Sequence, residues 1–147
     1  MKRIITVLIC VAALMVSFSS CKKDNPNEKE SSSPYFVCAD NLSKALPSTI
    51  ELKKSETNYS DHAFVPFDGK SKLKYDADNV RSLNVTLNPT GIAYGAGFEA
   101  TKFGLAGYAY GFKAGSDSKA GDQATATVDY SYEGVTIHQV VTLKVVE

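Results

Sequence analysis

Gln123-Ala124-Thr125-Ala126-Thr127-Val128-Asp129-Tyr130-Ser131-Tyr132 runs through Glu133-Gly134 into Val135-Thr136-Ile137-His138-Gln139-Val140-Val141-Thr142-Leu143-Lys144-Val145-Val146, and the fold is read from here. Ala124, Ala126, Val128, Tyr130 and Tyr132 fall on one side of an extended chain, with Thr125, Thr127, Asp129 and Ser131 on the other. Strict alternation of this kind marks a strand with one buried and one wet face. The second segment is β-branched and alternates again, and a two-residue break ending in glycine turns one strand into the next. The pattern predicts a terminal β-hairpin.

Upstream the signal stays β. Runs of strand composition occur at Tyr35–Cys38, Thr49–Lys53, His62–Phe67, Lys70–Tyr75 and Val80–Leu87. Asp68-Gly69, Asp76–Asn79 and Asn88-Pro89-Thr90-Gly91 punctuate them as turns. One helix is expected, capped by Asp40 or Asn41 and running through Leu46, with Pro47 closing it. Many short strands at this spacing fit an all-β fold, a single β-sandwich of about seven to nine strands over residues 35–147. Periodicity leaves a small barrel open. The closing stretch Ala120–Tyr130 with Thr142–Val146 is similar to the last two strands of bacterial immunoglobulin-like domains, which implies an immunoglobulin-like sandwich.

The other end of the chain carries an address. Lys2 and Arg3 precede an apolar run, Ile4 to Val16, and Ser17 to Ser20 supply small residues before Cys21. The run is shorter than the roughly 20 apolar residues a spanning helix needs, so it reads as a signal peptide. The stretch Val16-Ser17-Phe18-Ser19-Ser20-Cys21-Lys22-Lys23-Asp24-Asn25 resembles a bacterial lipoprotein signal of the Bacteroidota type, with Phe18 where the pattern prefers Leu. That resemblance implies cleavage after residue 20 and lipidation of Cys21, with thioether-linked diacylglycerol and an acylated amine. It implies a partner, the membrane, and a place, the outer membrane of a Gram-negative cell, on either its periplasmic or its external face. Residues 21–34 contain no apolar side chain larger than proline after Cys21 and cannot bury enough surface to fold. As a flexible coil such a tether spans roughly 20 Å.

Composition excludes some functions. Beyond residue 20 there remain 14 basic and 16 acidic side chains, with no clustered basic surface of the kind nucleic acid requires. Cys10 leaves with the signal and Cys21 is alkylated on the lipoprotein reading, so Cys38 has no partner for a disulfide. It is expected to be a small buried hydrophobe.

No catalytic, metal or cofactor constellation stands out. Gly91–Gly115 holds seven of the ten glycines and six of the fifteen Phe and Tyr residues. Two strands with core-facing aromatics would account for it; an aromatic platform of Tyr94, Tyr108 and Tyr110 for a glycan or protein ligand is the functional reading. Gly95-Ala96-Gly97-Phe98-Glu99-Ala100 matches a dinucleotide fingerprint but lacks the strand–turn–helix context. Asp76-Ala77-Asp78-Asn79 starts like a calcium loop without its later glycine and glutamate, and reads as a turn. Lys70, Lys72 and Lys74 would lie on one face of a strand, where they would either contact anionic glycan or lipid head groups or, on the favoured reading, keep an edge strand from pairing. Of the two histidines, His62 beside Asp61 is the only candidate for chemistry; His138 falls on the polar side of the last strand.

The expectation is a lipid-anchored, non-enzymatic binding or adhesive module. A glycan-capture protein is the first alternative, and would show three aromatics exposed in one plane. A small envelope enzyme, or an inhibitor of a host enzyme, is the second, and would show a cleft containing His62 and another polar group.

Overall fold

The computed structural model describes residues 33–147. The expected signal peptide, Cys21 and the tether as far as residue 32 lie outside the described residues.

Among the described residues nine strands make two sheets. They are β1 (Tyr35–Cys38), β2 (Asn41–Ala45), β3 (Thr49–Lys53), β4 (Ala63–Phe67), β5 (Leu83–Asn88), β6 (Ala93–Glu99), β7 (Tyr108–Ala114), β8 (Gln123–Tyr132) and β9 (Val135–Val146). One sheet has the order β2-β1-β4-β7-β6 and the other β3-β9-β8-β5. All pairings are antiparallel except that of β3 with β9. With β2 and β3 set aside, β1-β4-β7-β6 and β5-β8-β9 reproduce, in chain order, the ABED and CFG sheets of an immunoglobulin-type sandwich. Two separate sheets also decide between sandwich and barrel. The chain has no tryptophan, and among the described residues there is no disulfide at the sandwich's centre.

The hairpin forms as its alternation predicts. Its register runs unbroken from Gln123↔Lys144 to Tyr132↔Val135. Glu133 (φ 48°) and Gly134 (φ 81°) are both left-handed, as a two-residue hairpin turn of this hand demands. The inward residues Ala126, Val128, Tyr130, Ile137, Val141 and Leu143 join Phe36, Phe64 and Phe112 from the facing sheet in the main core. Phe64 lies 5.3 Å from Phe36, 5.6 Å from Phe112 and 5.7 Å from Tyr110, ring centre to ring centre.

The five-stranded sheet is covered on its outer face as well. Val37, Ala63, Val65, Phe67 and Ala109 form a second cluster under Phe98, Phe103 and Leu105. All five residues of β4 are therefore buried.

Three expectations are corrected. Residues 40–46 are not a helix: Asn41–Ala45 pairs with β1, Val37 opposite Ala45. A helix of six or seven residues gains too few hydrogen bonds to repay its nucleation, and the open edge of β1 captures the segment instead. Lys70–Tyr75 is not a strand beyond one bridge, Lys72 to Phe67. The Asp68 carboxylate accepts the N–H groups of Lys70 and Ser71 and turns the chain, as a short polar side chain competing with the ladder does. Val80–Leu87 becomes a strand only at Leu83, because Asp76 caps a 3₁₀ segment, Ala77–Ser82, accepting from Asp78 and Asn79 N–H.

Candidate functional site

The structure separates the three tyrosines. Tyr108 and Tyr110 alternate with buried Ala109 on β7 and pack against the main core, Tyr110 within 5.8 Å of Phe112. Opposite them, Gly95 and Gly97 of β6 leave the space a side chain would take: a Cβ at Gly95 would meet the Tyr110 ring, and one at Gly97 the Tyr75 hydroxyl. The glycines of the dinucleotide-like stretch thus make room for aromatic rings in the core, and the stretch itself is strand. Burial pushes the Tyr110 phenol up, and that of Tyr75 up to about 12. Tyr94 points the other way, 43% exposed and paired with Lys113. The three rings share no plane.

The lysines likewise part. Lys72 Nζ folds back onto the carbonyl oxygens of Leu73 and Tyr75, and burial lowers its pKa. Lys74 Nζ sits 5.6 Å from the Tyr132 ring centre. His138 Nδ1 and Asp129 Oδ1 lie 2.6 Å apart on the wet face of the hairpin.

A different place gathers polar groups. Where the chain crosses from β2 to β3, a cleft of about 520 Å³ opens between the two sheets. Its apolar part is Leu46, Ile50 and Ala63, all buried. Its rim is Asp40, Lys44, Glu51 and Asp61, all exposed, with Ser60 and His62 beside them. The crossover is pinned on both sides: Leu46 N–H donates to Phe36 O, Gln139 Nε2 donates to Leu46 O at 2.9 Å, and Ser48 O accepts from Thr142 N–H. The wall is therefore formed before any ligand arrives.

The other wall is the loop Tyr59–His62, a 3₁₀ turn. His62 Nε2 lies 2.7 Å from Glu56 Oε2, and Glu56 also accepts the Lys53 N–H. Partial burial pushes the Glu56 carboxyl up, but the hydrogen bonds from His62 and Lys53 outweigh it and leave it below its ordinary 4.5. The Glu56 carboxylate that accepts these bonds is lost as acid protonates it, below the ordinary carboxylate range. Tyr59 carries the Lys113 ammonium 4.7 Å from its ring centre, and the Tyr59 carbonyl lies against Gly111 of β7.

Potential nucleophiles in the cleft have partners other than His62. Cys38 Sγ donates to Ala45 O at 3.9 Å, and burial raises its pKa, so the thiol stays protonated. Ser60 Oγ accepts from Lys102 Nζ at 2.8 Å. Among the described residues no three His, Cys, Asp or Glu side chains come together as a metal site would need. No helix among them is long and apolar enough to cross a membrane. No family model, no curated protein and no solved structure matches the chain.

Sequence reasoning singled out His62 and Asp61, and the structure brings both into the cleft. It missed Lys44 and Glu51, which line the cleft, and Glu56, which holds His62 from behind; they come from separate segments and carry no motif. Pro47 was the one available signal, since it breaks the chain where the crossover forms.

Proposed function

We propose that this chain is a lipid-anchored binding module of the bacterial cell envelope, non-enzymatic, with the cleft at the β2–β3 crossover as its ligand site. The cleft itself carries the reading. Its volume lies within the roughly 300–1,000 Å³ usual for ligand sites, and a buried apolar floor under a few convergent polar groups is the usual composition of such a site. The export address and Cys21 supply the place, and a fold of sheet edges and short loops behind a tether suits presentation away from a lipid surface.

The second reading, a small envelope enzyme or an inhibitor of one, is favoured by the same cleft because His62 and Asp61 share it. What supports binding over catalysis is the commitment of each reactive group. A nucleophile needs its base within hydrogen-bond reach. Here His62 engages Glu56, Ser60 engages Lys102, and Cys38 engages a backbone carbonyl. The glycan reading loses its three-ring platform and keeps only Tyr94.

Two measurements test the proposal. Protein purified from membranes should have the mass of residues 21–147 plus acyl chains, and Cys21→Ala should move it to the soluble fraction. Amide shifts of the same protein in detergent, titrated with a small-molecule fragment set, should cluster at Thr49–Glu51 and Ser60–Ala63. An unmodified soluble chain, or shifts that avoid the cleft, would overturn the reading.

A further inference from the structure

The geometry points to a peptide as the ligand: we propose that the cleft takes an extended, basic peptide added as a strand to the free edge of β3. This rests on the cleft being the binding site and names what fills it.

β3 lies at the end of its sheet and pairs on one side only, with β9. Ser48 O accepts from Thr142 N–H and Lys54 N–H donates to Val146 O, so the even-numbered residues of this segment turn their backbone groups to β9. In an extended chain the N–H and C=O of alternate residues point to opposite sides. Those of Thr49, Glu51 and Lys53 therefore face away from the sheet. The Glu56 carboxylate closes the last of them by accepting the Lys53 N–H at 3.3 Å. Thr49 and Glu51 remain, and both line the cleft.

An unpaired edge is a template for another strand, which proteins usually block with lysine, proline or a covering loop. Pro47 before β3 and the Glu56 cap after it block the two ends and leave the middle open. An added strand would present its backbone to Thr49 and Glu51, and every second side chain to the buried floor of Leu46, Ile50 and Ala63. That combination of backbone ladder and side-chain recess is what recognition by strand addition requires.

Charge selects the peptide. The rim carries three carboxylates, Asp40, Glu51 and Asp61, against the Lys44 ammonium and the Lys102 ammonium held on Ser60, so its balance is acidic. Lysine or arginine on the outward side of the added strand complements this rim. A second copy of the chain is disfavoured as the occupant, because pairing β3 with β3 brings like carboxylates of Glu51 together, which costs stability in a ladder.

The test uses membrane-purified protein in detergent and three synthetic hexapeptides with blocked ends. The first alternates lysine and valine; the second replaces its two central residues by proline; the third replaces lysine by glutamate. The first should bind with amide shifts at Thr49–Glu51, and the second and third should bind at least tenfold more weakly. Glu51→Pro removes an outward N–H without touching the ladder to β9 and should abolish binding. Should that variant fail to fold, Glu51→Lys leaves the backbone intact and should reverse the preference towards the glutamate peptide. Equal binding of the proline peptide at the cleft would overturn strand addition while leaving the cleft a ligand site. No peptide binding alongside fragment shifts at the cleft would do the same. If lysine–valine peptide binds only after residues 22–32 are deleted, the chain's own lysine-bearing tether is the occupant, and recognition of a separate peptide is overturned.

Discussion

The β8–β9 hairpin and the β6–β7 hairpin face each other across one core and are built on opposite plans. β8 and β9 alternate along most of their length, bury Ala126, Val128, Tyr130, Ile137, Val141 and Leu143 on one side, and expose Thr125, Ser131, Thr136 and His138 on the other. In β6 and β7 the large rings stand on one strand and the space for them on the other, Phe112 opposite Gly95 and Tyr110 opposite Gly97. The first plan tolerates change on its wet face. The second couples both strands, since neither ring nor glycine is stable without its complement, as when cross-strand aromatics cover strand glycines. The two hairpins should therefore respond to mutation very differently.

The largest difference is expected at the rings. Tyr110→Ala and Tyr108→Ala remove side chains packed on the core and should cost about 3–5 kcal/mol each, a large share of a total stability of about 5–15 kcal/mol. Tyr94→Ala, on the exposed side of β6, should stay within about 0.5 kcal/mol, as should Thr125→Ala on β8. Denaturant midpoints of the four variants check this. Equal losses at Tyr94 and Tyr110 would mean that β6–β7 has no inner and outer face in the sense described.

A middle-sized effect is expected where a glycine meets backbone. A Cβ at Gly111 would run into the Tyr59 carbonyl, which cannot swing aside as a side chain can. Gly111→Ala should destabilise by about 1–3 kcal/mol, the usual cost of overpacking, and should shift the amides of Tyr59–His62 along the cleft. The alanine substitution at Gly121, whose missing Cβ has nothing within 4 Å, serves as the contrast for space alone, although its φ of 96° adds its own strain. Unchanged amides at Tyr59–His62 in Gly111→Ala would show that the loop is not seated on β7.

The same contrast explains what could be read from sequence. Alternation is visible only where one face meets water, and so β8 and β9 were legible residue by residue. β4 was legible as a strand from its composition, but its faces were not, because the cluster under Phe98 and Phe103 covers the side that would otherwise be polar. Asn41–Ala45 carries Leu42 and Ala45 at a spacing that suits a helix, and only the edge of β1, folded from elsewhere, decides for a strand. The cleft was legible in part. His62 and Asp61 are conspicuous as the sole histidine–aspartate neighbours in the chain, whereas the free edge at Thr49 and Glu51 exists only once β3 has paired in parallel with β9. A parallel pairing at long range leaves no local trace.

The smallest effect sits in the turn that makes the regular hairpin regular. Glu133 holds φ at 48°, a left-handed conformation that costs a residue with a Cβ of ordinary type roughly 1–2 kcal/mol. Asparagine tolerates it better, and asparagine followed by glycine is the preferred pair for this turn. Glu133→Asn should therefore stabilise the domain by a few tenths of a kcal/mol up to about 1 kcal/mol, seen as a rise of a few degrees in Tm. It also removes a carboxylate near Tyr130, one of the influences, after burial, that push that phenol up to about 12. Its titration should move slightly downward in the variant. The link between β6 and β7 offers no equivalent gain, because Ala100–Gly107 already ends its 3₁₀ segment on a glycine, Gly104, in the left-handed region. A Glu133→Asn variant that melts lower than the parent would mean that the glutamate side chain itself holds the turn, and that the closing hairpin owes its regularity to a contact rather than to its alternation.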